Sequence, residues 1–198
     1  MQQKAQVRIV AGTLRGRRLN VVVSETLRPT PQMVREALFS ILGNAVPDTD
    51  FYDVFSGTGA VGLEAISRGA RRVYFIERDF NLANAIEGHA KRFGVHDHGQ
   101  VLRSDAYRWA ERWLAPREPV NLFLSPPFAD LTGRPAGLRQ LIEHLYAKMA
   151  VGSVLVVQLE VGYHAELLPD PEAWETRQYG RNLLLIRQKE GASNATEG

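Results

Sequence analysis

The sequence predicts an α/β protein: a mostly parallel sheet with a C-terminal antiparallel hairpin and a small N-terminal β-hairpin arm. Three observations predict it. Apolar runs and helical periodicities alternate from residue 51 to residue 159, the pattern of a parallel sheet covered by helices on both faces. A glycine-rich turn joins the first of these runs to the helix after it. Near the end, Trp174 to Tyr179 and Leu183 to Arg187 flank the turn Gly180-Arg181-Asn182 and read as a closing hairpin.

The arm, residues 1–26, comes first. Val7-Arg8-Ile9-Val10 and Leu19-Asn20-Val21-Val22-Val23 read as two short strands, with Gly12 and Gly16 supplying the turn signals. Arg15, Arg17 and Arg18 fall at or near its tip. The body, residues 27–189, opens with a helix. Pro31 suits its first turn with Thr30 as N-cap. Val34, Ala37, Leu38, Ile41 and Leu42 recur at helical spacing, and Gly43 stops it. Phe51 to Phe55 is a buried-strand run, and Val61 to Arg68 is a helix closed by Gly69. Arg72 to Ile76 is a strand ending at Glu77, Phe80 to Phe93 a helix ended by Gly94, and Gln100 to Arg103 a strand ending near Asp105. Tyr107 to Leu114 is a short helix. Val120 to Leu124 is an apolar strand stopped by Pro126-Pro127, followed by a helix from Leu138 to Met149 and a strand from Ser153 to Leu159. Residues 190–198 are small and polar, a tail expected to be disordered.

A chain of 198 residues, 44% hydrophobic and 23% charged, suits one soluble domain with a small appendage. The absence of cysteine excludes disulfides, thiolate metal sites and a cysteine nucleophile, and fits a reducing compartment. No apolar run is long enough to span a membrane, and Met1 to Val10 lacks the apolar stretch of a signal peptide, so a cytoplasmic protein is expected. Charge is uneven. Residues 1–46 carry seven basic and two acidic side chains, a net +5, which leaves the rest near −3. A local basic segment on a near-neutral body suits either a docking surface for phosphates or a solvated arginine-rich face.

The strongest local feature is Asp53-Val54-Phe55-Ser56-Gly57-Thr58-Gly59-Ala60-Val61-Gly62. It follows a strand and opens a helix, where the ligands of α/β sheets bind. Gly57, Gly59 and Gly62 fit G-x-G-x-x-G, and Glu77 stands 20 residues after Gly57, at the tip of the next strand, where a carboxylate reaches a ribose diol. The pattern is common to NAD and S-adenosylmethionine, since both present an adenosine ribose. Two details favour S-adenosylmethionine. Asp53 stands at the strand end before the glycines, placed to organise the loop and face a cationic ligand. Asp105 and Ala106 stand past the third strand, where they can meet an adenine edge. Asp105 is also a natural N-cap of the helix from Tyr107.

A second feature is Ser125-Pro126-Pro127-Phe128, after the apolar strand from Val120. Two prolines stiffen a loop and fix the direction of its carbonyls. A flipped base could stack on Phe128 while its exocyclic amine donates to Ser125 and the Pro126 carbonyl, so that catalysis is largely positioning. The competing reading is a proline-terminated strand with Phe128 in the core. Other constellations are weak: His96 and His98 lie in a loop-like segment with no further ligand cluster, Trp109 and Trp113 suit a packed helix face, and no G-x-S-x-G elbow surrounds Ser56. No metal is expected.

Together these residues resemble the RsmD family, the bacterial 16S rRNA guanine-N2 methyltransferases. The resemblance runs through Arg8-Ile9-Val10-Ala11-Gly12 with Arg15-Gly16-Arg17, Leu27-Arg28-Pro29-Thr30, Val34-Arg35-Glu36-Ala37-Leu38-Phe39, the Asp53 loop, Gly62-Leu63-Glu64-Ala65, Ser67-Arg68-Gly69-Ala70, Glu77, Asp105 and the Pro-Pro-Phe loop. It implies a class I (Rossmann-like) methyltransferase fold, S-adenosyl-L-methionine as cofactor, and a guanine of 16S rRNA, free or in the 30S ribosomal subunit, as target; the chain itself is expected to be a monomer. It implies that Asp53, Gly57, Thr58 and Gly59 line the methionine end of the cofactor, Glu77 the ribose, and Asp105 with Ala106 the adenine. The catalytic loop is then Ser125, Pro126, Pro127 and Phe128. Arg28 and Arg35 flank the active site and, with Arg15, Arg17 and Arg18, are the residues expected to bind RNA, the arm arginines through its phosphates. One position departs from the family, which usually has Asp or Asn where this chain has Ser125. A serine accepts a hydrogen bond with shorter reach and no charge.

Three other functions are compatible with parts of the sequence. An NAD-dependent oxidoreductase explains the glycine loop and Glu77 but not Asp53, the Pro-Pro-Phe loop or the basic arm. A non-catalytic RNA-binding or assembly factor accommodates Ser125. An N-methyltransferase for DNA adenine or protein glutamine shares the Pro-Pro-aromatic logic.

Overall fold

Each apolar run between residues 50 and 160 forms a strand, and each helical periodicity covers the sheet that the strands build. The computed structural model describes residues 3–23, 27–162 and 168–191. The order is β1 (Gln3–Arg8), β2 (Arg18–Val23), α1 (Gln32–Leu42), β3 (Asp50–Val54), α2 (Ala60–Ser67), β4 (Val73–Glu77), α3 (Phe80–Phe93), β5 (Gly99–Arg103), α4 (Ala106–Arg112), β6 (Val120–Leu124), α5 (Phe128–Gly133), α6 (Pro135–Lys148), β7 (Val154–Glu160), β8 (Glu175–Tyr179) and β9 (Asn182–Gln188).

The main sheet has seven strands in the order β5-β4-β3-β6-β7-β9-β8. The first five are parallel. β9 runs antiparallel to β7, and β8 to β9, which is the expected closing hairpin. β3 and β6 lie side by side at the centre and are buried along their whole length. The chain leaves β3 toward β4 and β5, then returns to build β6 and β7 on the other side. That reversal is a topological switch point, and the crevice at the carboxyl ends of β3 and β6 is where a doubly wound sheet binds ligands.

Alternation along the strands sends side chains into two cores. On one face Phe51, Phe75 and Phe123 pack with Leu38, Leu63 and Ile86. On the other Tyr52, Ile76, Leu122 and Leu124 pack with Ile142 and Leu145. Trp109 and Trp113 join the second core beside Tyr52, the packed face their spacing suggests.

The arm is an antiparallel pair with Gln3 opposite Val23 and Arg8 opposite Arg18. Its first strand therefore lies earlier than Val7 to Val10, and Ile9 and Val10 belong to the connecting loop. Ile9 and Leu14 are buried in that loop. Thr13 N donates to Ser67 O (2.7 Å) and Leu14 N to Ser67 Oγ (2.9 Å), while Ser67 Oγ donates to Ala11 O. The loop is thus docked on the C-terminal end of α2.

Three local expectations need correction. Thr30 is not the N-cap of α1; Pro31 is, and the Thr30 hydroxyl instead donates to Gln158 Oε1 on β7 (3.0 Å). The helix begins one residue later than a Thr30 cap requires, so that hydroxyl faces the sheet. A short helix, α5, starts at Phe128 directly after the prolines. α6 begins at Pro135, three residues before Leu138. Of the tail expected from 190, residues 192–198 lie outside the described residues, as do 1–2 and 24–26 of the arm segment.

Candidate active site

The backbone at the end of β3 turns through Phe55, whose φ of 62° is left-handed, a costly conformation for an aromatic residue. Strain of this kind concentrates where a loop must be aimed. Gly57 (φ 53°) and Gly59 (φ 72°) complete the turn, and Gly59 becomes the residue before α2. Gly62, the third glycine of the pattern, serves packing: a Cβ there would lie 2.2 Å from the Phe75 ring, so only glycine lets α2 approach β4 this closely.

Two carboxylates hold the loop. Asp53 is 1% exposed, and its Oδ2 accepts from Gly62 N (2.9 Å). Its Oδ1 takes no hydrogen bond among the described residues. Burial first, and then the neighbouring Glu77 charge, push the Asp53 carboxyl up to about 8 against the Gly62 N–H, which favours the anion. Glu77 sits at the tip of β4, with Oε2 accepting from Gly57 N and Oε1 from Asp79 N, both at 2.8 Å. A carboxylate offers about four lone-pair sites, so Glu77 keeps acceptor capacity for a ligand diol. Thr58 and Ala106 are buried. Asp105 is the N-cap of α4: its Oδ1 accepts from Tyr107 N (3.1 Å) and Arg108 N (3.3 Å), while Oδ2 lies 3.8 Å from Arg78 Nη1.

The second loop lies next door. Val54 pairs with Leu124, and Ser125 N donates to Val54 O (3.2 Å), so the residues following β3 and β6 leave the sheet together. Pro126 is buried and Pro127 half-buried, while Phe128 is 59% exposed, which removes the core reading for that ring. The Ser125 hydroxyl makes no side-chain hydrogen bond among the described residues. Leu27 crosses the glycine loop, its Cδ1 within 3.2 Å of where a Gly57 Cβ would stand, so the segment with Arg28 and Pro29 borders the same crevice.

α5 is fixed by groups the sequence did not single out. Tyr107 OH donates to the buried Asp130 at 2.8 Å, and Arg134 lies 4.3 Å over the Tyr107 ring. Burial, then the hydrogen bond to Asp130, raise the Tyr107 pKa, so its proton stays on the bond. This clasp ties the Phe128 helix to the helix that Asp105 caps.

Arg35, expected among the RNA-binding residues, is not a surface residue. It is 2% exposed. Its guanidinium donates to Glu64 Oε2 (3.1 Å), Thr30 O (2.6 Å) and Arg8 O (2.8 Å), and Arg68 meets the other Glu64 oxygen at 2.9 Å. Because α1 packs inward on α2, the cation serves as a strut between the arm, the 27–31 segment and α2. The arginine was visible in the sequence; its partner Glu64, 0% exposed in a helix otherwise apolar up to Ser67, was the missed signal. Arg15, Arg17, Arg18 and Arg28 are exposed.

Comparison with known proteins agrees with this architecture. The family model described as "Conserved hypothetical protein 95" matches residues 7–188. "Ribosomal RNA small subunit methyltransferase D" of Escherichia coli K12 is 38% identical over 131 residues, covering 62% of this chain and 61% of that protein. "Putative rRNA methyltransferase YlbH" of Bacillus subtilis is 34% identical over 126 residues, covering 63% and 68%. The aligned stretch thus spans about two thirds of these relatives' lengths. Among solved structures, "Putative methyltransferase yhhF" from Escherichia coli superposes with a TM-score of 0.75 at 28% identity, over 94% of this chain and 99% of that one. The class I, Rossmann-like methyltransferase fold that the sequence led us to expect is the fold found.

Proposed function

The chain belongs to the family described as "Conserved hypothetical protein 95", as the RsmD resemblance implied, and on that premise we propose that it methylates the exocyclic N2 amine of a guanine in small-subunit rRNA, using S-adenosylmethionine. The observation that carries the proposal is the pair of loops at the β3/β6 switch point, one organised by buried carboxylates and the other presenting Ser125, Pro126, Pro127 and Phe128. The relatives named above as rRNA methyltransferases supply the substrate class.

The donor set suits the cofactor. Asp53 offers an unshared carboxylate oxygen to cationic groups, Glu77 has spare acceptor capacity for a ribose, and Asp105 with Ala106 borders the adenine position. S-adenosylmethionine supplies, when bound, an electrophilic methyl group. The chain's own residues do the rest. Phe128 gives the target base an exposed ring to stack on. Ser125 Oγ and the Pro126 carbonyl accept the two amine hydrogens, which turns the nitrogen lone pair toward the cofactor side of the crevice. The surplus proton leaves to water. Arg28, at the mouth, and Arg15, Arg17 and Arg18 contact RNA phosphates. We place the enzyme in the cytoplasm as a monomer. Among the described residues, no helix is long and apolar enough to cross a membrane.

Transfer of tritiated methyl groups to 30S subunits, naked rRNA, DNA and protein tests the reading. Label in rRNA alone supports it; label in DNA or protein overturns it. Because Ser125 stands where the family usually has an acid or amide, tight rRNA binding without any transfer would instead favour an assembly factor.

A further inference from the structure

We infer that the protein grips RNA at a second place, remote from the target base: a composite basic surface of Arg15, Arg17 and Arg18 from the arm with Lys91 and Arg92 from the end of α3. The inference rests on rRNA being the substrate and adds where that RNA must run.

The placement follows from topology. In a parallel sheet each crossover helix starts at the carboxyl ends of the strands and finishes at their amino ends. α3 therefore begins beside Glu77, at the crevice, and ends near Gly99, at the opposite end of the sheet. Its 14 residues make it about 21 Å long at about 1.5 Å per residue. The arm loop docks at that far end, on Ser67 at the finish of α2. Arg92 Nη2 donates to Arg18 O (2.8 Å), and both Arg17 and Arg92 lie over the Phe93 ring, at 6.0 and 5.0 Å. The arm's tip is thereby fixed against α3, with its arginines about one helix length from the catalytic loop.

Among the described residues the charge is unneutralised. All five side chains are exposed, and none forms an ion pair among the described residues. Arg15 and Lys91 make no side-chain hydrogen bond there, and Arg18 meets only the neutral Gln6. Some exposed arginines elsewhere are matched with acids, as Arg71 is with Asp50 and Glu118, Arg103 with Glu87 and Arg139 with Glu143; others, such as Arg72, Arg108 and Arg181, form no ion pair among the described residues but stand apart from one another in the chain. Cations are favourable at a helix C-terminus, which accounts for Lys91 and Arg92 taken alone. It does not account for Arg17 and Arg18 docked beside them, or for Arg15 in the same arm loop. Five cations on one rigid patch suit a phosphate backbone, whose neutralisation releases counterions. The patch lies too far from the crevice for a single nucleotide to reach both, so the strand or helix that delivers the guanine must extend along α3.

The test compares binding of two RNAs to the full chain over a salt series: a long small-subunit rRNA fragment and a short oligonucleotide with only the target guanine and its immediate neighbours. The wild-type protein should bind the long RNA at least about tenfold tighter. The double variant Arg15→Ala, Lys91→Ala should cut that advantage to within about twofold and lower the slope of log affinity against log salt by about 1 to 2. The charge-keeping pair Arg15→Lys, Lys91→Arg should retain both, which separates lost charge from a disturbed arm. An alanine pair that keeps the wild-type advantage and slope overturns the inference, as does a charge-keeping pair that loses them. Binding is read without methyl transfer, so an inactive wild-type protein would count against the reaction and not against the surface.

Discussion

Asp53 carries its carboxyl group into the end of β3 with Gly62 N–H as its one described donor, and burial moves its ionisation from the ordinary 3.8 to about 8. Between those values the folded chain keeps a proton that the unfolded chain has released. Its contribution to stability is therefore full below pH 3.8, falls as pH rises, and is gone past about 8. A cation bound beside it favours the carboxylate, so cofactor uptake should release a proton. Calorimetry should show affinity for S-adenosylmethionine rising from about pH 6.5 to about pH 8.5, with Asp53→Asn flattening that rise and weakening binding at the higher pH by about tenfold. At the base side, Ser125→Asp should preserve or raise turnover on small-subunit rRNA, because a carboxylate better stabilises positive charge growing on the amine. A large loss of turnover with cofactor affinity intact would remove Ser125 from its assigned role. Arg35→Ala leaves Glu64 buried with Arg68 alone. Breaking a buried pair costs about 3–5 kcal/mol, and the surviving partner puts this case near the lower figure; urea unfolding would measure it.

The docked arm makes a prediction of its own at the level of elements. A Cβ at Gly12 would stand 1.7 Å from Ser67 O, against backbone that cannot yield, and the residue already has a φ of 80°. Gly12→Ala should therefore release the 9–17 loop from α2 while the seven-stranded sheet stays folded. Hydrogen exchange would show it: the Leu14 amide loses protection and the amides of β3 and β6 keep theirs. The parallel elements were legible because their strands are apolar runs between glycine stops. β1 was placed too late because Gln3 and Lys4 are exposed and polar, so half of that strand carries no apolar signal. α5 was missed because six residues opened by two prolines and closed by Thr132-Gly133 offer no helical period. The clasp from Tyr107 to Asp130 was equally hidden, since the two lie 23 positions apart and only folding reveals that Asp130 is buried. Asp53, Glu77 and Asp105 could be located because strand ends are readable. Arg35 was misplaced because its charge is visible and the buried acid that absorbs it is not.

The whole molecule is polarised along its strands. At the carboxyl ends of β3 and β6 lie the two loops proposed to meet cofactor and base, and at the amino ends of the same sheet lies the basic patch inferred to grip RNA. Loss of the patch should change how tightly and how salt-dependently RNA is held, whereas changes at the crevice should alter transfer itself. The central claim is narrower than either: a methyl group reaches the N2 amine of a guanine in small-subunit rRNA. The direct measurement is nucleoside mass mapping of that rRNA from cells with and without the protein, followed by in vitro addition of purified protein and S-adenosylmethionine. The account predicts one N2-methylguanosine missing in its absence and restored at the same position on addition. An unchanged set of methylguanosines, or restoration of a methyl group on any other base, would contradict it.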